Sequence, residues 1–189
     1  MSNRIAAAYG PRLIRLARET IGHQLGLIAA VDQDGLDDDN LKQDLATFVT
    51  LKKKGTLRGC IGNLEPVGPL LKSIADNACH AAFHDHRFSP LSKEEFADVV
   101  VDISILTQPE PLIFKDGDEL LEKLRPGIDG VILKKGGARA TFLPQVWEQL
   151  PQPSIFLEHL CRKAGLSPHA WRDQQLDILI YRVQSFHEE

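Results

Sequence analysis

The 189-residue sequence predicts an α+β protein in which a mostly antiparallel sheet is flanked by helices. Helical and strand-like patterns interleave along the chain without the regular strand-helix-strand alternation that a doubly wound parallel sheet requires. Short turn segments join neighbouring strand patterns, which is typical of antiparallel hairpins. With 43% hydrophobic residues the chain can bury a core of its own, so we expect a single domain over residues 1–189.

The first element is predicted to be an amphipathic helix over residues 9–28. Residues 31–42 are rich in Asp, Gly and Asn without periodicity, which predicts an exposed loop. The aspartates of this loop do not follow the spacing of a twelve-residue calcium-binding loop, so we interpret it as a solvated connection. The helix prediction rests on apolar side chains that recur at three- and four-residue steps, at Leu13, Leu16, Ala17, Ile21 and Leu25.

A β-hairpin with a basic tip is predicted next. Residues 45–51 alternate apolar and polar side chains, and residues 56–64 form a second strand-like segment. The tip between them, residues 52–55, holds three lysines and a glycine. We interpret these lysines as a solvated turn that discourages pairing between sheet edges.

The remaining elements follow the same two periodicities. Prolines at positions 66 and 69 break the hairpin strand and are followed by apolar residues at helical spacing. A β-branched run then predicts a central strand, and Gly136 and Gly137 indicate a second hairpin. The predicted elements are a helix over 70–83, a strand over 97–106, a turn over 109–111, a short helix over 118–124, a hairpin over 130–142, a helix over 154–164 and a last strand over 176–183.

Composition argues against several classes of partner. The net charge is −4 and the 22 basic side chains are scattered, so we expect no nucleic-acid partner. No apolar run has the length of a membrane span, and residues 1–18 lack the apolar core of a secretory signal. The cysteines at positions 60, 79 and 161 are odd in number and far apart, which favours free thiols in a reducing compartment. We therefore expect a cytoplasmic protein with no membrane partner.

The segment LRGCIGNLEP, residues 57–66, is the first candidate site. It places the cation Arg58 and the thiol Cys60 beside glycines, and glycines allow a ligand to approach the backbone closely. Cys60 is either a nucleophile, if Arg58 or a nearby histidine lies beside it, or a small apolar core residue. Arg58 either binds a ligand or pairs with Glu65 or a helix end. Cys79 and Cys161 lie on apolar helix patterns and are predicted to be core residues. The candidate ligand-binding residues here are Arg58, Gly59, Gly62 and Glu65.

A cluster of titratable side chains at the end of the second predicted helix is the other candidate site. His80 and His84 are four residues apart and would share a helix face, a spacing that metal sites use. The alternative is that these cationic side chains complement the helix dipole, while Asp85 and Arg87 fix the turn that follows. Because no zinc-binding motif accompanies the histidines, we assign no metal ligands here.

Three motifs carry a resemblance to a known family. They are LRGCIG at 57–62, D-x-R-F-x-P-L at 85–91 and T-F-L-P-Q-V at 141–146, followed by KAGL at 163–166 and Trp171. Together they resemble the AmmeMemoRadiSam system protein A family, also called the AMME chromosomal region domain. The six consecutive matches in LRGCIG, with the other motifs in the family's order, extend the resemblance over nearly the whole chain.

The resemblance implies an α+β fold with a larger and a smaller subdomain and a cleft between them lined by LRGCIG. By residue, it makes Arg58, Gly59 and Cys60 candidates for that cleft, and Asp85, Arg87 and Phe88 candidates for its wall or support. His86 departs from the small or polar residues expected at its position. Members of the family often occur beside a Memo-type protein and a radical SAM protein, which implies a shared pathway and either of these as a possible partner, besides an unknown small molecule.

Three functional hypotheses follow from these residues. In the first, the protein is an enzyme with Cys60 as nucleophile, His84 or His86 as base, and the amides near Gly59 and Gly62 as oxyanion donors. In the second, it is a binding or accessory module that presents Arg58 to an anionic ligand or a partner protein. In the third, the histidines at 80–86 hold a catalytic metal. The sequence identifies no cofactor, and it does not decide whether the protein is an enzyme.

Overall fold

The computed structural model describes residues 5–172 and 176–189. The chain divides into two compact units, one formed by residues up to Thr107 together with Gln184–Glu189, and the other lying within Gln108–Val183. Across the described residues, one four-stranded sheet has the order β2-β1-β3-β8 and another the order β4-β7-β5-β6. In chain order the elements are α1 (Gly10–Gln24), β1 (Ala46–Lys53), β2 (Thr56–Gly62), α2 (Leu70–Phe83), α3 (Lys93–Phe96), β3 (Val99–Leu106), β4 (Glu110–Pro111), α4 (Gly117–Lys123), β5 (Gly130–Lys135), β6 (Ala138–Phe142), α5 (Pro153–Lys163), β7 (Asp177–Tyr181) and β8 (Val183–His187).

The sheet of the first unit is built around β1 and β3, the β-branched run that the sequence predicts as a central strand. β1 pairs antiparallel with both β2 and β3. Apolar residues at alternate positions of β1 and β3 form one core with α1 and α2, because successive side chains on a strand point to opposite faces. We call the other side of this sheet, away from α1 and α2, its outer face. It carries Phe48, Thr50, Lys52, Cys60 and Asp102.

The first hairpin differs from the prediction at its tip. Lys53 and Thr56 are register partners, so Lys54 and Gly55 alone form a two-residue turn. Both have positive φ, 50° and 78°, as a turn matching the right-handed strand twist requires. The prediction of a solvated basic tip over 52–55 was therefore wrong for its first two residues. Lys52 and Lys53 both belong to β1, and their ammonium groups pair with Asp102 and Glu95, respectively.

The second unit has its own sheet and core. The hairpin predicted over 130–142 is confirmed as β5 and β6, which pair antiparallel. Phe156 of α5 is fully buried and stacks on Trp147, with ring centroids 3.6 Å apart. The Trp147 Nε1–H donates to the backbone oxygen of Asp129 at 2.7 Å, which satisfies the polar atom of this buried ring.

These observations confirm the α+β class and the antiparallel pairing, and they correct several boundaries. The first helix ends at Gln24 rather than 28, because the chain turns at Gly26, where φ is +70°. The turn predicted over 109–111 contains β4, which pairs with β7. The last predicted strand ends at Tyr181, and the chain continues into β8 in the other sheet. No helix in residues 5–172 and 176–189 is long and apolar enough to cross a membrane.

Candidate functional site

Cys60 lies half-buried on β2, a strand at the edge of its sheet. Its register partner on β1 is Thr50, and the Thr50 hydroxyl donates a hydrogen bond to the Cys60 sulfur at 3.1 Å. The structure therefore holds this thiol against a polar side chain on the outer face. Cys161 is buried as predicted, whereas Cys79 is only half-buried, so the prediction of a core position was wrong for Cys79. Burial raises the pKa of both Cys79 and Cys161 thiols.

Arg58 and Cys60 lie two residues apart but on opposite faces of the sheet. The pairing of β1 with β2 is irregular at Leu51, where the register shifts by a residue, and Arg58 lies in this bulge. At Gly59 a Cβ atom would overlap the backbone oxygen of Ala81, so this position faces α2. Cys60, the next residue, consequently faces away from α2. The group that approaches Gly59 closely is the backbone of α2, whereas a ligand was expected at this position.

Arg58 is held by an acidic residue that the sequence analysis did not select. The side chain is 11% exposed, and its Nε and Nη2 donate to the two carboxylate oxygens of Glu95 at 3.2 and 2.9 Å. Nη2 also donates to the backbone oxygen of Ser89 at 2.9 Å. The hydrogen bond from Arg58, joined by one from Lys53, lowers the pKa of Glu95 to about 2. The guanidinium is thus engaged in a bidentate ion pair, with Glu95 as its partner rather than Glu65.

Asp85 lies against the unpaired edge of β2, next to Cys60. Its buried carboxylate accepts the Cys60 backbone N–H at 2.9 Å and is also bound by the Arg87 side chain, with Nε at 2.9 Å and Nη2 at 2.7 Å. Arg87 Nη2 donates in turn to the backbone oxygen of Cys60 at 3.2 Å. Together these bonds replace the neighbouring strand that an edge strand lacks. The hydrogen bonds from Arg87 and from the Cys60 amide hold the pKa of Asp85 well below its usual range.

Arg87 is an exposed cation that contacts the backbone of Cys60. More than half of its side chain, 57%, is open to solvent, in contrast to Arg58. The pKa of Arg87 is raised chiefly by its hydrogen bond to Asp85, and negative charge on Cys60 contributes to the same direction. The ring of Phe88 lies 5.6 Å from the Arg87 guanidinium and 5.9 Å from that of Arg58. Phe88 therefore makes a cation–π contact with both Arg58 and Arg87.

Gly62 and Glu65 differ in their surroundings. A Cβ atom at Gly62 would overlap the backbone oxygen of Thr47 and the ring of Phe48, so glycine is required by close packing within the sheet. Glu65 is exposed in the loop after β2.

The histidines lie away from the thiol's hydrogen bonds. His80, His84 and His86 are exposed, and the rings of His80 and His84 meet edge to face with centroids 5.5 Å apart. In the described part of the chain no hydrogen bond joins His84 or His86 to Cys60. Among the same residues, no group of three or more His, Cys, Asp or Glu side chains is arranged to hold a metal ion.

Two residues of this region were missed from the sequence, and each had a signal. Glu95 is the fourth residue of a capping box that begins at Ser92, a local pattern that also identifies α3. Thr50 lies at a polar position of the alternating strand β1, and only the register with β2 places it against Cys60. The residue patterns therefore indicated the thiol and the segment at the sheet edge, but neither the hydroxyl that donates to the sulfur nor the acid bound to Arg58.

The fold and site define an α+β protein with a half-buried cysteine on an antiparallel sheet, flanked at the sheet edge by an aspartate-arginine pair. The AMMECR1 family model matches residues 14–186, and the chain belongs to this family. The similarity to its relatives covers nearly the whole chain. A protein from Methanothermobacter thermautotrophicus is 38% identical over 95% of this chain and 94% of its own length, and one from Thermofilum pendens is 36% identical over 98% and 92%.

A solved structure agrees with the fold. The crystal structure of the uncharacterized protein PH0010 from Pyrococcus horikoshii matches with a TM-score of 0.79 and 34% sequence identity. The match covers 98% of this chain and 94% of that one. The comparisons thus establish the family and its fold.

Proposed function

We propose that this AMMECR1-family protein is a thiol-dependent enzyme whose nucleophile is Cys60 and whose substrate is a small anionic molecule oriented by Arg87. The observation that carries the proposal is the combination of a half-buried thiol with an exposed guanidinium that donates to the backbone oxygen of the same residue, Cys60, at 3.2 Å. A nucleophilic cysteine requires access for its substrate and a polar or cationic environment, and both are present at Cys60.

The proposed chemistry is acyl transfer. The Cys60 sulfur forms a bond to an acyl carbon, the bond from that carbon to its leaving group breaks, and the leaving group departs with the electron pair. The thiol proton reaches the leaving group through water. Arg87 binds an anionic group of the substrate, and Asp85 keeps the guanidinium in place through two hydrogen bonds. Neither His84 nor His86 has a described hydrogen bond to the thiol, so the proposal assigns them no step.

The family resemblance supports a place for this chemistry in a pathway. Because family members often occur beside Memo-type and radical SAM proteins, we propose that the substrate is an intermediate shared with such proteins. Intact mass measurement of the protein isolated with and without a co-expressed radical SAM partner tests this. A hydroxylamine-sensitive adduct on Cys60 that requires the partner is the expected result, and its absence in both preparations contradicts the pathway assignment.

A non-catalytic binding module is the second candidate function, and the structure changes which arginine would present its charge to the ligand. The exposure of Arg87 and the ion pair between Arg58 and Glu95 both favour Arg87, rather than Arg58, as the cation presented to an anionic ligand or partner. This module requires no reactive thiol. A substrate identified by ligand screening would be bound normally by Cys60→Ser in both candidates, but only the enzyme would lose turnover.

The first experiment compares the alkylation of Cys60 by iodoacetate and by iodoacetamide, read by peptide mass spectrometry. The negatively charged reagent should be favoured at Cys60 because of the neighbouring guanidinium, and Arg87→Gln should reduce the ratio of the two rate constants by roughly fivefold, as expected for one charge of about 1 kcal/mol. Cys79 and Cys161 are internal references, since burial raises the pKa of each thiol.

The matched control is Arg162→Gln, which removes the same charge from an exposed position on α5. It should leave the ratio at Cys60 unchanged. If Cys60 reacts no faster than Cys79, or if both arginine variants change the ratio equally, the proposed thiol site is wrong.

A further inference from the structure

The outer face of the first sheet carries a second cluster of polar side chains, separate from the Asp85–Arg87 edge. Asp102 of β3 is the register partner of Thr50 and lies in the same row across the strands as Cys60. Asp102 is only 9% exposed, yet it lies in mid-strand between apolar neighbours. Burial of a carboxylate is costly unless cations and hydrogen bonds compensate it, so its partners are informative.

Two side chains from neighbouring strands compensate Asp102. Lys52 of β1 places its ammonium 2.5 Å from Oδ2, and His187 of β8 places Nδ1 2.9 Å from Oδ1. Three strands thus converge on one carboxylate. Glu188, the next residue after His187, turns to the opposite side and binds Arg18 of α1, with Arg18 Nη2 donating to its Oε2 at 2.8 Å. This alternation keeps His187 on the outer face.

The contact with Asp102 determines what His187 offers to a ligand. A carboxylate only accepts hydrogen bonds, so Nδ1 of the imidazole carries the proton in this contact, and in the neutral ring Nε2 presents its lone pair. The His187 side chain is 66% exposed, which leaves Nε2 accessible from solvent. An imidazole oriented in this way by a buried carboxylate can accept a hydrogen bond at Nε2 from a ligand hydroxyl.

Lys52 adds an anion-binding group to the same cluster. Its side chain is 45% exposed, and its ammonium has three N–H groups, of which the contact with Asp102 uses one. The remaining N–H groups can therefore donate to an anionic oxygen that lies next to the imidazole.

We propose that Lys52, Asp102 and His187 form a binding site for a small molecule in which a hydroxyl group is adjacent to a carboxylate or phosphate. The ligand hydroxyl donates a hydrogen bond to Nε2 of His187. The anionic group binds Lys52. This site does not depend on the chemistry proposed for Cys60.

Changes in the His187 ring signals on addition of a ligand test the proposal. Glycolate, the smallest molecule with a hydroxyl beside a carboxylate, is titrated against the full chain while the histidine ring signals are followed by NMR, with His187→Gln used for assignment. The His187 signal should shift saturably. Methoxyacetate, which lacks the hydroxyl proton, and glycolamide, which lacks the charge, should each bind at least fivefold more weakly.

Variants distinguish binding at this specific site from non-specific binding to the protein surface. Lys52→Gln should weaken glycolate binding at least fivefold, whereas Lys72→Gln, a change at an exposed ion pair on α2, should not. Asp102→Asn should abolish the response, and if that variant fails to fold, Lys52→Gln alone decides. Glycolate should also protect His187 from acylation by diethyl pyrocarbonate. Equal binding of glycolate and methoxyacetate, or a shift at His187 no larger than that at the exposed His84, would overturn the proposal.

Discussion

Replacement of Glu95 by Gln is expected to destabilise the protein through the loss of one charge. Glu95 accepts hydrogen bonds from Arg58 and Lys53 and belongs to the capping box of α3. Gln retains the shape of Glu and serves at the same position of a capping box, so Glu95→Gln removes the charge while preserving the helix start. The perturbed interaction is thus the ion pair that engages Arg58.

The size of the effect follows from the pKa of Glu95. The ordinary value of 4.5 falls to about 2 in the folded protein, a difference of roughly 2.5 units, which corresponds to at most about 3.4 kcal/mol. Glu95 is 26% exposed and Lys53 is 32% exposed, so solvent screening reduces this figure to about 1–2 kcal/mol. A lowered carboxyl pKa stabilises the fold fully above pH 4.5, and this stabilisation disappears as the pH falls towards 2.

Urea denaturation of the wild type and Glu95→Gln at a series of pH values measures this prediction. The free energy of unfolding should differ by about 1–2 kcal/mol at pH 7, and the difference should shrink between pH 4.5 and 2. Glu122→Gln, a change at an exposed position of α4, is the control and should have little effect. A difference that does not vary with pH, or the absence of one at pH 7, would refute the reasoning.

The remaining predictions concern packing and the edge of β2. Gly59→Ala should destabilise the first unit by about 1–3 kcal/mol in denaturation, because its Cβ would overlap the Ala81 backbone oxygen; unchanged stability would show that α2 moves freely. Asp85→Asn should also be destabilising at pH 7, and because the pKa of Asp85 is well below its usual range, the difference from wild type should shrink progressively as the pH falls below the usual aspartate range; a constant difference contradicts this. Phe156→Ala should lower the free energy of unfolding by about 3–5 kcal/mol, whereas Ile155→Ala, at a partly exposed neighbour, should cost about 1 kcal/mol or less.

Most of the secondary structure was predictable because it depends on local patterns. The second helix was predicted over 70–83 and is α2, Leu70–Phe83, since prolines precede it and apolar residues recur at helical spacing. The elements that were missed are short or depend on distant partners. α3 spans one turn, and β4 exists only because Glu110 and Pro111 pair with β7, about seventy residues later in the chain.

The candidate site was predictable in its residue types and less so in its contacts. The expectation that Asp85 and Arg87 fix the turn after the second helix agrees with their hydrogen bonds. The sequence named Arg58 or a histidine as the possible neighbour of Cys60, whereas the cation that contacts the Cys60 backbone is Arg87, and the bulge at Arg58 turns that side chain to the other face.

Residue patterns alone were sufficient for the α+β class, the principal helices and hairpins, and the selection of Cys60, Asp85 and Arg87, because all of these follow from periodicity, turn residues and short motifs. The contacts between side chains that are distant in the sequence were decided by the register of the strands. Pairing of β1 with β2 and β3 brings Thr50 against Cys60 and beside Asp102, and β8 adds His187 from near the end of the chain. A shift of register by one residue would move these side chains to the opposite face, and neither periodicity nor composition specifies that register.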